Sequence, residues 1–119
     1  MIDRLWYATV FVKDFPQALQ FYRDTLGLPL RFADEAYGHA SFATEGALFG
    51  LQRVEGDQKN FAARHTGVGF GTKDLDSEYT RLKALGVKFT QPPEKMPWGG
   101  YMSLFADPDG NILYLDQLR

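Results

Sequence analysis

The chain has 119 residues, of which 45% are hydrophobic and 24% charged, and its formal net charge is −2. This size and composition predict a single ordered globular domain. The slightly acidic balance gives no electrostatic basis for binding nucleic acid or an anionic membrane. The absence of cysteine excludes disulfides, thiol catalysis and zinc–thiolate sites. No signal peptide or transmembrane span is recognisable, so we expect a cytoplasmic protein.

The first half of the chain predicts a strand, a helix and three further strands. Residues 6–12 are rich in β-branched and aromatic types, which suits a strand. Asp14 is a suitable helix N-cap, with Pro16 in the first turn and Gln17 as a capping-box partner. The apolar helical face ends near Leu26, and Gly27 stops the helix. Strands are then predicted at 29–33, 38–43 and 47–53.

The second half repeats this order at an offset of about sixty residues, which is an internal repeat. The segment "TVFVKDFPQALQFYRDTLGLPLRF" at 9–32 matches "GFGTKDLDSEYTRLKALGVKFTQ" at 69–91, and "SFATEGALFGL" at 41–51 matches "LFADPDGNILYL" at 104–115. A strand is predicted at "GVGFG", then a helix from Asp74 to Gly86, then strands at 87–91, 101–106 and 111–116. The chain thus divides into a first module of about 1–53, a linker of about 54–66 and a second module of about 67–119.

The predicted fold class is α+β, with two βαβββ modules in tandem. A strand–helix–strand crossover within one sheet makes its strands parallel, and the following strands then alternate in direction. The first, second and fourth strands of each module should therefore run the same way. One helix per module covers one face of its sheet, so the free faces are expected to form a cup with an internal cavity.

Two segments carry a family resemblance: "FVKDFPQALQFYRDTLGL" near the start and "PWGGYMSLFADPDGN" near the end. With their place in the repeat, they make the whole chain similar to the vicinal-oxygen-chelate superfamily, which contains glyoxalases, bleomycin-resistance proteins and extradiol dioxygenases. The resemblance implies the paired βαβββ modules and a homodimer. The "DPDGN" turn is itself interpreted as a hairpin device, because Pro108, Gly110 and Asp107 have the chemistry of a tight turn.

Metal-using members of this family bind the metal through four strand positions, commonly two His and two Glu. By motif spacing these positions are Tyr7, Gly50, Gly67 and Tyr114 in this chain. Glycine offers no side chain, and neutral tyrosine is an uncommon ligand for divalent metals. His65 and Asp116 lie on the same face, but at roughly 3.3 Å per residue they are about 13 Å apart. We therefore expect no cofactor and no metal, with a divalent metal held at unusual positions as the alternative.

The face opposite the helices is predicted to form a small-molecule pocket, because it is mostly aromatic or soft with few polar groups. The glycines of "GVGFG" leave room for a ligand or for close packing between the modules. Tyr7 and Tyr114 could instead fill a closed interior, and His39 could be a hydrogen-bonded buried histidine. No catalytic residue is assigned. The candidate ligand-binding residues are Tyr7, His39, Gln52, Trp98, Met102 and Tyr114.

The first functional hypothesis is a metal-free small-molecule-binding protein that resembles bleomycin-resistance-type sequestration proteins, with an apolar or aromatic ligand. The mildly acidic balance would suit a neutral or cationic planar molecule. The alternative is a glyoxalase- or dioxygenase-like enzyme, either a lyase, an isomerase or an oxygenase. Such an enzyme would need a non-standard metal site, or metal-free acid–base catalysis by His39 with Tyr7 or Tyr114. A structural or regulatory interaction module is a third hypothesis.

Overall fold

The computed structural model describes residues 1–119 and divides into two compact units, Met1–Ala63 and Arg64–Arg119. The first unit contains β1 (Tyr7–Val12), α1 (Phe15–Gln20), a π-helical turn (Phe21–Thr25), β2 (Leu30–Asp34), β3 (His39–Phe42), β4 (Leu48–Arg53) and a 3-10 helix (Gly56–Phe61). The second contains β5 (His65–Thr72), α2 (Leu75–Ala84), β6 (Lys88–Lys95), β7 (Tyr101–Ala106) and β8 (Ile112–Gln117). No helix is long and apolar enough to cross a bilayer.

Each unit has one four-stranded mixed sheet, with the order β1-β4-β3-β2 in the first and β5-β8-β7-β6 in the second. The first strand pairs in parallel with the fourth, and the remaining pairs are antiparallel. The first, second and fourth strands of each unit therefore run in one direction. The predicted α+β class and the repeated βαβββ order are confirmed.

The two helices begin at the predicted caps. The Gln17 backbone N–H donates to Asp14 Oδ1 at 3.1 Å, and the Ser77 N–H donates to Asp74 Oδ1 at 3.1 Å. A carboxylate in this position satisfies a backbone donor that has no partner within the helix. The first helix differs from expectation at its end, because the Leu26 N–H bonds to the Phe21 carbonyl at 2.9 Å and closes a wider, π-helical turn.

Each core lies between the helix and one face of the sheet. Val10, Val12 and Leu51 in the first unit, and Leu113 and Leu115 in the second, are buried as the strand alternation predicts. Aromatic rings fill the space beneath the first helix. Tyr22 is fully buried, and its ring centroid lies 5.1 Å from that of Phe49. The opposite face of each sheet is thereby left for other contacts.

Two segments differ from the predicted boundaries. The 3-10 helix lies within the predicted linker, and β5 already begins at His65, so the end of that segment is strand. Strand β6 continues to Lys95 through Pro92 and Pro93, with irregular pairing between Gln91 and Glu94. β6 is the last strand of its sheet, and an edge strand tolerates the missing proline N–H groups.

The turn between β7 and β8 has the structural role that its sequence indicates. Asp107 Oδ1 accepts hydrogen bonds from the backbone N–H groups of Asp109 at 3.0 Å and Asn111 at 2.9 Å. Gly110 has a φ of +91°, which favours glycine. Asn111 is buried, and its Oδ1 accepts from the Arg64 N–H at 3.3 Å. The turn therefore connects the β7–β8 hairpin to the start of β5.

Candidate ligand-binding site

A cavity of about 680 Å³ lies in the first unit, on the sheet face opposite the buried side chains of β1 and β4. Its volume is in the range of about 300–1,000 Å³ that is usual for small-molecule sites. Most of the surrounding side chains are apolar or aromatic. The lining residues are Trp6, Tyr7, Thr9, Phe11, Arg31, Phe32, His39, Ser41, Leu48, Phe49, Gly50 and Gln52.

The sheet register explains why this face is hollow. Thr9 pairs with Gly50 across β1 and β4, and Gly50 pairs with Ser41 across β4 and β3. This row of small residues lies between two rows of larger ones, which are Tyr7 with Leu48 on one side and Phe11 with Gln52 and His39 on the other. A cavity forms where the small row leaves the sheet surface uncovered.

His39 and Gln52 form a fixed polar pair at the cavity. His39 Nδ1 and Gln52 Oε1 are 3.1 Å apart, and Gln52 Nε2 donates to the carbonyls of Tyr37 and Arg53, each at 3.2 Å. The two donations direct the amide nitrogen of Gln52 away from His39, so Nδ1 of the imidazole carries the hydrogen. In the neutral ring Nε2 is then a hydrogen-bond acceptor with no partner within the protein.

Arg31 is the only charged side chain among the lining residues. Its Nη1 donates to the Ser41 hydroxyl at 3.0 Å, and its guanidinium carbon lies 5.9 Å from the centroid of the Phe32 ring. The ion pairs Arg23–Asp24, Arg53–Glu55 and Arg81–Glu78 do not involve Arg31, and no Asp or Glu is among the lining residues.

A β-bulge places both Arg31 and Phe32 at the cavity. Leu30 pairs with Phe42 and Phe32 pairs with Ser41, so Arg31 is an extra residue in β2 without its own partner. Consecutive residues of a regular strand point to opposite faces, but a bulge changes the direction of a side chain. Strand alternation therefore could not identify Arg31 and Phe32 together.

Three of the residues predicted from the sequence, Tyr7, His39 and Gln52, come together in this cavity. Tyr7 remains 62% exposed, and Trp6 packs edge-on against it with a centroid separation of 6.3 Å. The sequence reasoning missed Trp6, Arg31 and Phe32. Trp6 could have been recognised as a large aromatic side chain at the start of the first predicted strand.

The other predicted residues, Trp98, Met102 and Tyr114, belong to the second unit. Trp98 is exposed in the loop between β6 and β7. Met102 lies opposite Asp116, and Tyr114 pairs with Gly69. Met102 and Tyr114 are on the face of the sheet opposite the buried Leu113 and Leu115.

The glycines of β5 accommodate side chains of their own unit. A Cβ atom on Gly69 would lie 3.3 Å from the Tyr114 Cβ, and one on Gly71 would collide with the side chain of Leu118. The Tyr114 ring also meets the His65 ring edge-on at 5.2 Å. His65 is exposed, and it is a strand residue with an aromatic partner rather than part of the predicted linker.

One carboxyl group of the second unit is poorly solvated. Asp116 Oδ1 is buried and has no hydrogen-bond partner. Burial raises the pKa of this carboxyl group, and the charge of Arg119 opposes the rise. The group is therefore costly to ionise in the folded protein.

The positions that the family resemblance assigns to metal ligands do not supply suitable donors. Tyr7 and Tyr114 offer only phenols, and Gly50 and Gly67 have no side chain. No group of three His, Cys, Asp or Glu side chains is placed to hold a metal ion. His65 pairs with Ile112 whereas Asp116 pairs with Gly71, so these two possible donors lie toward opposite ends of the β5–β8 pair. Neither set fits a divalent metal centre.

Comparison with known proteins identifies the family. Residues 4–115 match the family model described as Glyoxalase/Bleomycin resistance protein/Dioxygenase superfamily. A superfamily member from Sphaerobacter thermophilus, known from its crystal structure, is 33% identical in sequence to this chain. The two structures have a TM-score of 0.81, with 99% of each chain covered. TnmS3, an antibiotic-binding protein from Streptomyces, is 30% identical, with a TM-score of 0.79 over 99% of this chain and 98% of its own. YurT of Bacillus subtilis is 30% identical over 92% of this chain and 94% of its own. The chain belongs to the glyoxalase/bleomycin-resistance/dioxygenase superfamily.

Proposed function

We propose that the protein binds a small apolar or aromatic molecule in the cavity of its first unit and sequesters it without a metal. The observation that carries this proposal is the small row Thr9, Gly50 and Ser41, which opens a cavity of about 680 Å³ between aromatic walls. A mostly apolar cavity with a few fixed polar groups is the usual composition of a small-molecule site.

The chemistry of the lining favours binding over catalysis. The Nδ1 atom of His39 is engaged by Gln52, and no Asp or Glu lines the cavity to act with the imidazole as an acid or base. The description of TnmS3 as an antibiotic-binding protein also supports a binding role, since it shares 30% identity with this chain over nearly the full length.

The proposal includes the absence of a resident metal or other cofactor. Its support is the donor chemistry of Tyr7, Gly50, Gly67 and Tyr114, which offers no imidazole and no carboxylate. Elemental analysis of protein purified without a chelator is expected to give far less than one equivalent of zinc, nickel, iron or manganese. A stoichiometric metal would contradict this part of the proposal.

The proposal also includes a cytoplasmic location. A cysteine-free chain needs no oxidising compartment in order to fold, which is consistent with that location.

The binding function is tested with a panel of aromatic compounds and two glycine variants. A ligand that binds only the folded protein must raise its unfolding temperature. We expect stabilisation of the wild-type protein and of Gly46→Leu, because an added Cβ at Gly46 meets no atom within 4 Å. Gly50→Leu fills the row of small residues at the cavity and is expected to lose the stabilisation. Equal binding by Gly50→Leu would contradict the proposed location.

The same samples distinguish the other two hypotheses. Each compound that binds is recovered after incubation and analysed by chromatography. We expect it to be recovered unchanged, and conversion to a product would identify an enzyme instead. If no compound stabilises the protein, the proposed binding function fails and the interaction module is favoured.

A further inference from the structure

We infer that the ligand carries an anionic group on its aromatic framework, a carboxylate or a phenolate, and that Arg31 pairs with this anion. The inference rests on the proposed binding function and adds the chemical class of the ligand. It is carried by the position of Arg31 in the cavity and by the absence of Asp and Glu from the lining residues.

The charge of the cavity wall differs in sign from the charge of the chain. The chain has a net charge of −2, which by itself would favour a neutral or cationic ligand. The cavity, however, is lined by one cation and no carboxylate. At a contact distance of a few ångströms the local charge dominates, because charges beyond about 8 Å are largely screened at physiological ionic strength. The cavity is therefore suited to an anion.

The guanidinium group of Arg31 has a hydrogen-bond partner at the cavity, although Arg31 lies on an exposed strand. The bulge in β2 directs Arg31 toward the cavity, and the hydroxyl of the buried Ser41 accepts a hydrogen bond from Nη1 at 3.0 Å. The guanidinium also lies 5.9 Å from the Phe32 ring centroid. One hydrogen bond to Ser41 leaves most of the N–H donors of Arg31 for a ligand, and the planar group matches a carboxylate in a two-bond geometry.

The neighbouring side chains define the rest of the ligand. Trp6, Tyr7 and Phe32 are at least 48% exposed although they are large aromatic residues at the cavity. Aromatic surface of this kind is stabilised by contact with a flat apolar molecule. His39 Nε2, left without a partner by the Gln52 contact, can accept a hydrogen bond from a ligand hydroxyl when the ring is neutral. An aromatic acid or an acidic phenol satisfies all of these groups.

The test uses two probes of the same shape that differ in charge, 2-naphthoate and 2-naphthamide, with affinities measured by calorimetry at pH 7.5. Charge-assisted hydrogen bonds to a carboxylate are about twice as strong as neutral ones, and about 1.4 kcal/mol corresponds to tenfold in affinity. We therefore expect the wild-type protein to bind 2-naphthoate about tenfold more tightly than 2-naphthamide. Added salt should weaken the binding of 2-naphthoate only.

Two charge-matched variants assign this preference to Arg31. Arg31→Gln is expected to lower the affinity for 2-naphthoate about tenfold. Its affinity for 2-naphthamide should stay within about twofold of the wild-type value. Arg23→Gln removes a cation that is paired with Asp24 outside the cavity and should leave both affinities unchanged. Circular dichroism and the unfolding temperature confirm that both variants are folded.

The possible results separate this inference from the proposed function. If the wild-type protein binds both probes equally, or if Arg31→Gln weakens both equally, the anion preference is overturned and the binding cavity stands. If neither probe binds to the wild-type protein, the anion preference fails, and the panel of aromatic compounds decides separately whether the binding function stands. If Arg31→Gln loses affinity for 2-naphthoate but not for 2-naphthamide, both the binding function and the anion preference are supported.

Discussion

Gly38 ends the turn between β2 and β3 in a conformation that other residues rarely adopt. Its φ is +65°, and an added Cβ would come within 2.9 Å of the Arg53 guanidinium carbon. The Gly38 carbonyl also accepts a hydrogen bond from the Arg53 N–H at 2.7 Å. The turn therefore has no room for a side chain, and it connects the strands that carry Arg31, Phe32 and His39.

We expect Gly38→Ala to lower the free energy of unfolding by about 1–3 kcal/mol, through strain at a positive φ and the contact with Arg53. Gly46→Ala is the matched control, because its φ is not positive and an added Cβ meets no atom within 4 Å. That control should change stability by less than about 0.5 kcal/mol. Urea denaturation of the two variants checks the difference. Equal midpoints would show that the turn can relax around a side chain.

Asp116 gives a pH-dependent contribution to stability. Burial raises the pKa of its carboxyl group in the folded protein, although Arg119 opposes the rise. The pKa of an unfolded aspartate is about 3.9, so the folded protein binds this proton more tightly than the unfolded chain does. The protonated form is therefore favoured by folding, and the contribution of Asp116 falls as the pH rises through these pKa values.

We expect Asp116→Asn to be more stable than the wild-type protein at pH 7, since it removes a buried charge without a hydrogen-bond partner at Oδ1. The difference should shrink as the pH falls toward about 3, where the carboxyl group is protonated in both states. Denaturant titrations at several pH values measure the effect. A difference that is independent of pH, or a loss of stability at pH 7, would contradict this account.

Single residues also show what the sequence could and could not predict about the site. Alternation along β1, β3 and β4 correctly brought Tyr7, His39 and Gln52 to one face, because those strands pair in a regular register. Arg31 and Phe32 were missed because one unpaired residue in β2 changes the direction of the side chains. The sequence does not reveal such a bulge, since it depends on how two strands pair in space.

At the scale of secondary-structure elements, the predicted helix caps are confirmed and control where each helix begins. Asp74 is the stronger example, because its carboxylate accepts from both the backbone N–H of Ser77 at 3.1 Å and the Ser77 hydroxyl at 2.8 Å. These hydrogen bonds lower the pKa of Asp74 in the folded protein. The ionised carboxylate is therefore the form that stabilises α2.

We expect Asp74→Ala to be less stable than the wild-type protein at neutral pH, because it leaves the first turn of α2 without its cap. A lowered folded pKa means that the contribution is complete above the ordinary aspartate pKa and is lost as the pH falls through the folded value. Asp74→Asn keeps an acceptor oxygen without a charge, so its stability relative to Asp74→Ala should vary little with pH. Thermal unfolding from pH 7 to about pH 2.5 tests both, and a constant deficit for Asp74→Ala would contradict the ionic contribution.

Local sequence signals predicted the order of the elements but not the features that depend on contacts between distant segments. The order of strands and helices followed from hydrophobic periodicity, from Asp14 and Asp74, and from the glycines after each helix, all of which act over a few residues. The π-helical turn at Phe21–Thr25 was not predictable in this way. The change of register in β5, where His65 pairs with Ile112 but Gly69 pairs with Tyr114, was also missed. Both depend on packing between segments that are distant in sequence.

At the scale of the whole molecule, both sheets end in strands whose outer edges have no further hydrogen-bonded strand. β1 is terminal in the first sheet and β5 in the second. The edge of a terminal strand offers backbone groups that can pair with another chain. Several large apolar side chains outside the cavity are exposed as well, and they include Leu5, Phe61 and Trp98. These features support the homodimer that the family resemblance implies, and we propose that a second copy covers part of this surface.

The homodimer is tested by substituting lysine for two exposed leucines, one beside β1 and one at the end of α2, and measuring self-association. We expect the wild-type protein to sediment at twice its chain mass of 13.5 kDa, and its unfolding temperature to rise with protein concentration. Leu5 is 76% exposed and lies two residues before β1, so Leu5→Lys should weaken self-association by placing a charge beside the exposed edge. Leu85 is 58% exposed at the end of α2, away from either edge strand in sequence, and Leu85→Lys should leave association unchanged. A monomeric wild-type protein at all concentrations would contradict the dimer, and dissociation by Leu85→Lys but not by Leu5→Lys would place the interface elsewhere.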